Sequence, residues 1–302
     1  MDIHYRVKKA VKRAPSSKSP AKVNILMKED ISGIINKCFT KKDLNIQTYA
    51  FYEQFSINQI QVMMEQEEIY VLPTEELCDF LDNLIGDKDA IEIGAGKGHL
   101  GRELNIPITD SYARHDAYPM KTCKQQGIQP IIYPNDVEKL DALQSVRKYK
   151  PHTVIASYLV HKQFYKDKSK EFGLDGQKLL KMCKRYIHIG NLDLHTNDPI
   201  MQIPHTEVEF PYLITKNRNP YTDRIFIWGD DGLINFEQNN GLEHYNITFI
   251  DTGNKKYSTE FVASSTSKKL REYAYYWMKL EVEKQNGAIN IPINAIQIQK
   301  QP

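Results

Sequence analysis

The chain has 302 residues, of which 41% are hydrophobic and 26% charged, with a formal net charge of +2. That is a globular composition, long enough for one large core or two modest ones, and the near-balance of charge excludes a strong overall field toward nucleic acid or membrane. Cys38, Cys78, Cys123 and Cys183 lie far apart with no C-x-x-C pair, which argues against a zinc ribbon or redox motif and for reduced thiols in a cytoplasmic protein. No apolar run approaches the roughly 20 residues of a membrane helix, so no membrane association is expected, and the N-terminus lacks the apolar stretch of a secretory signal.

Residues 1–22 carry Arg6, Lys8, Lys9, Lys12, Arg13, Lys18 and Lys22 against Asp2 alone. They offer no apolar face and read as a disordered basic arm, a solvated tail with nucleic acid as its one suggested partner. Residues 23–72 read as an N-terminal helical cap, because Tyr49, Tyr52, Phe55, Ile60, Met63 and Met64 fall at helical spacing. Residues 73–230 read as an α/β domain. Thr74 is placed to cap a helix whose buried stripe is Leu77, Phe80, Leu81, Leu84 and Ile85, and Gly86 to end it. Strands follow at Ala90–Ile93, Ile106–Asp110, Ile128–Tyr133, Thr153–Val160, Tyr186–Gly190 and Ile225–Trp228, with helices over Val137–Lys148 and Gln177–Arg185. This alternation predicts a parallel sheet with helices on both faces. Residues 231–302 form a C-terminal extension with a strand at Tyr245–Ile250, an amphipathic helix at Ser267–Lys284, and a loose tail from Gly287 onward.

The segment that carries chemistry is Ile91-Glu92-Ile93-Gly94-Ala95-Gly96-Lys97-Gly98. Glycines let the backbone turn sharply and approach a ligand with no Cβ in the way. The following helix presents free N–H groups, and in an open α/β sheet such a turn lies at the carboxyl edge, where ligands bind.

The segment resembles motif I of the class I S-adenosylmethionine (SAM) dependent methyltransferases, with Glu92, Gly94, Gly96 and Gly98 at the matching positions. The resemblance implies a doubly wound, Rossmann-like α/β sheet with SAM as cofactor. It implies that the loop Gly94-Ala95-Gly96 packs against the methionine part of SAM, and that Glu92 organises the loop and the ligand's amino group. Asp110, ending the second strand, matches the acid that holds both ribose hydroxyls, with a turn or cap role as its rival. Asp136 sits where an acid or amide lies near the adenine, with an N-cap as its rival. A wider likeness over Leu72–Trp228 is to poorly characterised bacterial and phage methyltransferase-like proteins.

Gly96-Lys97-Gly98-His99-Leu100-Gly101 also fits the dinucleotide fingerprint. There, however, the first glycine follows the strand directly. Here that glycine is Gly94, and counted from Gly94 the pattern fails at His99. The register favours SAM over NAD.

After the fourth strand the chain reads Ser157-Tyr158-Leu159-Val160-His161. The Asn/Asp-Pro-Pro-Tyr of DNA amino-methylases is missing there, and Asn219-Pro220-Tyr221 reads as a turn. His161 and His195 are the candidate general bases, since histidine titrates near neutral pH. With Ser157, Tyr158 and Asn191 they line the expected acceptor site. Asp193, His195, Asp198, His205, Glu207 and Glu209 are dense enough to suggest metal ligation, but their spacing fits no helix-borne motif such as His-Glu-x-x-His, and they read as a solvated, substrate-side loop with no metal. The sequence thus points to methyl transfer from SAM to an unknown acceptor. A non-catalytic SAM or nucleotide binder is the alternative, and an NAD-dependent oxidoreductase stands behind it.

Overall fold

A computed structural model describes residues 2–14, 29–40, 43–113, 131–162, 173–217, 219–230, 232–288 and 290–302. Cys123, Lys18, Lys22 and the first residues of the expected strand at Ile128–Tyr133 lie outside them. The chain forms two units. One comprises Lys9–Glu207 and Tyr212–Asp231; the other comprises Met1–Lys8, Val208–Pro211 and Gly232–Pro302.

We label the strands β1 (Ala90–Ile93), β2 (Ile108–Asp110), β3 (Glu138–Lys139), β4 (Thr153–Ser157), β5 (Arg185–Asn191), β6 (His205–Glu209) and β7 (Asp223–Gly229), all in the larger unit except Val208 and Glu209 of β6, which fall in the smaller. Their order across the sheet is β3-β2-β1-β4-β5-β7-β6. The pairs β1–β2, β1–β4, β2–β3 and β4–β5 are parallel, whereas β7 runs antiparallel to β5. The architecture is therefore α/β and Rossmann-like, with β7 reversed against β5 where parallel pairing was expected. Val154–Ala156 of β4 and Ile225–Trp228 of β7 are continuous buried apolar runs, as a sheet covered on both faces favours, whereas β6 buries a mostly polar run. Ile91, Ile93, Val154, Ala156, Tyr186, Phe226 and Trp228 form its core with Val146, Leu179 and Met201.

The helices begin where their caps sit. Thr74 accepts from the Leu77 N–H at 3.2 Å and opens the helix Glu75–Ile85, which Gly86 closes at φ 61°. The helical pattern running from Tyr49 to Met64 belongs to two helices, Tyr49–Tyr52 and Ile57–Gln66, because Ser56 and Gln59 form a capping box that restarts the chain. Both join Ser32–Cys38 in an apolar cluster built on Tyr52, Met63, Met64 and Leu72. The expected helix Val137–Lys148 begins only at Ala142, capped by Asp141. The residues before it supply β3, which displaces the third strand from the expected Ile128–Tyr133, whose described residues 131–133 are not strand.

The smaller unit overturns two expectations. His4–Val11 is a strand rather than a disordered arm, and its start pairs antiparallel with Lys256–Ser264. Ile3 and Tyr5 are buried, and Arg6 bridges Glu209 at 3.1 Å and Glu281 at 3.3 Å. The expected loose tail from Gly287 includes the strand Gln297–Lys300, paired with Leu242–Ile250. The helix Leu270–Asn286 packs Ala274, Trp277, Met278 and Val282 against this sheet. Among the described residues no helix is long and apolar enough to cross a membrane.

Candidate functional site

The sheet order reverses between β1 and β4, and in open α/β sheets ligands bind at the carboxyl edge of such a switch point. The loop after β1 is the glycine segment. Gly94, Gly96 and Gly98 all hold positive φ, at 61°, 56° and 73°. Their surroundings differ. A Cβ on Gly94 would lie 2.6 Å from Leu159, which follows β4, and one on Gly98 would lie 2.7 Å from Ile108. A Cβ on Gly96 would meet nothing within 4 Å. Gly94 and Gly98 are small so that the loop can pack; Gly96 borders open space.

The end of β2 holds this loop. The Ala95 N–H donates to the Thr109 carbonyl at 3.1 Å, and the Gly96 N–H to Asp110 Oδ2 at 2.9 Å. Asp110 Oδ1 accepts from the Tyr112 N–H at 2.7 Å. Each carboxylate oxygen thus uses one acceptor position and keeps another for a hydroxyl. Glu92 is enclosed beneath the loop, and its Oε2 accepts from the Gly101 N–H at 2.8 Å. Burial pushes its carboxyl up to about 8, against the opposing hydrogen bond from Gly101. Glu92 anchors the short helix His99–Glu103 from below, so its visible role is to brace the turn. Asp136 is exposed and pairs with Arg102 at 2.9 Å, a hydrogen bond that lowers its pKa. The N-cap alternative for Asp136 is corrected, because Asp141 caps the next helix.

The expected acceptor residues separate into two groups. Tyr158 and Asn191 meet at Asp223, the first residue of β7. Asn191 Nδ2 donates to Asp223 Oδ1 at 2.7 Å, Thr215 Oγ1 to Oδ2 at 2.8 Å, and the Tyr158 hydroxyl lies 2.8 Å from Thr215 Oγ1 and 3.3 Å from Asp223 Oδ1. Burial pushes the Asp223 carboxyl up to about 7, against those hydrogen bonds. Ser157 Oγ is buried without a hydrogen-bond partner among the described residues.

The histidines belong to the interior. His161 is 1% exposed, with Nδ1 2.9 Å from Asp198 and Nε2 2.9 Å from the Tyr186 hydroxyl. Both ring nitrogens are occupied, so the ring does not stand open as a base. His195 Nδ1 lies 3.0 Å from the backbone N and O of Asn191, and burial pulls its pKa down to about 4. His188, which the sequence reading passed over, sits between them with ring centroids at 4.8 and 4.7 Å. The polar stretch from Asp193 to Glu209 is likewise not a solvated loop. His205–Glu209 is the buried strand β6, and Arg13 pairs with Glu207 through two 2.7 Å hydrogen bonds.

These buried groups set a pH dependence. Glu92 and Asp223 have raised pKa values in the fold, so their contribution to stability is full below about pH 4 and is lost as pH rises through about 7 to 8. His195 and His99, both pulled down to about 4 by burial, act in the opposite direction. Their contribution is full above the unfolded pKa near 6.5 and is lost as pH falls toward 4. Between about pH 4.5 and 6.5 the two pairs offset each other, and above about pH 6.5, where only the carboxyl contributions are still changing, the melting temperature should fall as pH rises. Glu92→Gln keeps an acceptor for Gly101 and should flatten the alkaline limb. An unchanged alkaline slope in that variant would remove Glu92 from this account.

No family model matches the chain, and no curated protein matches it either. Two solved structures are similar at 13% identity. One is the Thermoplasma acidophilum 1320 protein, with 72% of this chain and 96% of that one covered at a TM-score of 0.24. The other is a Thermotoga maritima SAM-dependent methyltransferase, described as a possible histamine N-methyltransferase, with 72% and 97% covered at a TM-score of 0.22. Likenesses this distant carry no argument about what this chain binds.

Proposed function

We propose that the larger unit binds SAM at the Gly94 loop and transfers its methyl group to an acceptor. The observation that carries this reading is Gly96, a positive-φ glycine bordering open space, with its N–H fixed by Asp110. A ligand's backbone-like portion fits against Gly96, and the spare lone pairs of Asp110 suit a vicinal diol. The sheet order adds support. The dinucleotide fold runs 3-2-1-4-5-6, whereas here the antiparallel β7 is inserted beside β5. Bound SAM would bring an already activated sulfonium methyl, so the protein's task is chiefly alignment. On this reading Glu92 braces the loop, Asp110 orients the ribose, and Tyr158, Asn191 and Asp223 border the acceptor.

Calorimetry of the full chain with SAM, S-adenosylhomocysteine and NAD tests the reading. Either sulfur compound should bind and NAD should not; binding of NAD alone would overturn it. Asp110→Ala should weaken SAM binding by about 1.5–3 kcal/mol, the scale of hydrogen bonds to a charged group. Unchanged affinity in the folded variant would take Asp110 out of the ribose site.

A further inference from the structure

Within the larger unit lies a cavity of about 200 Å3 that the sequence reading did not foresee. It is small beside the roughly 300–1,000 Å3 of sites for drug-sized ligands. Tyr49, Tyr52 and Phe55 are among its lining residues, with Ile57, Ile60, Leu213 and Ile214 adding apolar surface. Its acids are Asp223, 4% exposed, and Glu53 at the exposed side, and none of the described lining residues is basic.

Asp223 is the unusual member. A carboxylate so enclosed normally has a cationic partner, yet no ion pair to its side chain is present among the described residues, although the charge of the neighbouring Arg224 acts on it from beyond ion-pair distance. Its hydrogen bonds come from the neutral groups Asn191, Thr215 and Tyr158. Oδ2 accepts once, from Thr215, and so retains an acceptor position. Aromatic residues lining the same cavity as a buried acid also suit a cation, which a ring face attracts through its quadrupole. The cavity connects to the glycine loop through consecutive residues: Tyr158 bonds within the Asp223 cluster, and Leu159 packs on Gly94.

We propose that this cavity takes a small amine with an apolar body, its nitrogen held by Asp223. That the amine is the methyl acceptor rests on the SAM reading above; the binding itself does not. Burial pushes the Asp223 carboxyl up to about 7 against its hydrogen bonds and the nearby Arg224 charge, and an ammonium beside it would draw it down again. Amine uptake near pH 7 should therefore release protons from the protein.

The test uses the full chain without SAM, titrated with benzylamine, benzyl alcohol and benzoate by calorimetry in buffers of different ionisation enthalpy. Benzylamine should bind with proton release, and benzyl alcohol about tenfold or more weakly, the scale of a lost charged hydrogen bond. Benzoate should not bind. Asp223→Asn should reduce amine affinity by a similar factor and leave the alcohol unaffected. Ile57→Trp, at a side chain 53% exposed on the cavity wall, should block the amine without lowering the melting temperature. If Asp223→Asn does not fold, the amine-to-alcohol ratio and Ile57→Trp decide. Absent amine binding, equal affinity for amine and alcohol, or full amine binding in folded Ile57→Trp overturns the proposal. Amine binding in a protein that ignores SAM would keep this pocket and overturn only the methyl-transfer reading.

Discussion

Gly96→Val should fold and bind SAM roughly 100-fold more weakly or worse, a loss of about 2.7 kcal/mol. The added atoms meet no protein neighbour, because a Cβ on Gly96 has open space around it. They would fill the volume that the ligand needs on the SAM reading. The cost to the fold is conformational, since Gly96 holds φ 56° and a branched residue there is strained by about 1–2 kcal/mol. Gly96→Ala separates strain from obstruction, because it carries much of the same strain with less bulk. The melting temperatures of the two variants should therefore be close while their SAM affinities diverge. If a folded Gly96→Val chain binds SAM as the parent does, the ligand does not approach this turn. Gly94→Val is unsuitable as the probe, because its Cβ would press on Leu159 and damage the packing itself.

The glycine loop was legible because its signal is local. A strand, an acid and three spaced glycines lie within ten consecutive residues, and each does its work there: Glu92 braces Gly101, and the turn takes positive φ at all three glycines. Thr74 and Gly86 were legible for the same reason. Asp223 was not. It opens the apolar run Ile225–Trp228, and in a wholly parallel sheet the start of a strand lies at the edge away from the ligand. Because β7 runs antiparallel to β5, Asp223 falls directly opposite Asn191, at the carboxyl edge. Strand direction is set by packing and connection rather than by composition, and periodicity does not report it. His161 and His195 misled in the opposite sense. Being polar, and following strands, they suggested an open site, but Asp198, Tyr186 and the Asn191 backbone satisfy them inside the fold.

The basic N-terminus and the acidic stretch near Glu209 were misread together, for one reason. Taken separately, Arg6, Arg13, Glu207 and Glu209 look like solvated charges, and segments rich in them look unable to pack. Arg13 pairs with Glu207 in the larger unit, and Arg6 with Glu209 and Glu281 in the smaller. Complementary charges 194 residues apart in sequence, as in the first pair, leave no trace in a local window.

Deleting residues 2–8 should therefore unfold the smaller unit. The deletion removes Ile3 and Tyr5, whose burial contributes roughly 1.5–3 kcal/mol for each large apolar side chain. It also strips Arg6 from Glu209, which is buried, and from Glu281. Removing one partner of a buried ion pair costs about 3–5 kcal/mol, because the remaining charge has no compensation. Lys284 lies 3.7 Å from Glu209 and recovers a fraction of that at most, being itself half-exposed. The strand pairing of His4 and Tyr5 with Ala263 and Val262 is lost as well. Against a usual total stability of about 5–15 kcal/mol, losses on this scale leave little. The two tryptophans make the outcome readable by unit, since Trp277 is buried in the smaller one and Trp228 in the larger. In a Trp228→Phe background, Trp277 fluorescence should show a cooperative urea transition for the full-length chain and none for the shortened one. A shortened chain that keeps the same transition midpoint would return residues 2–8 to the status of a dispensable arm.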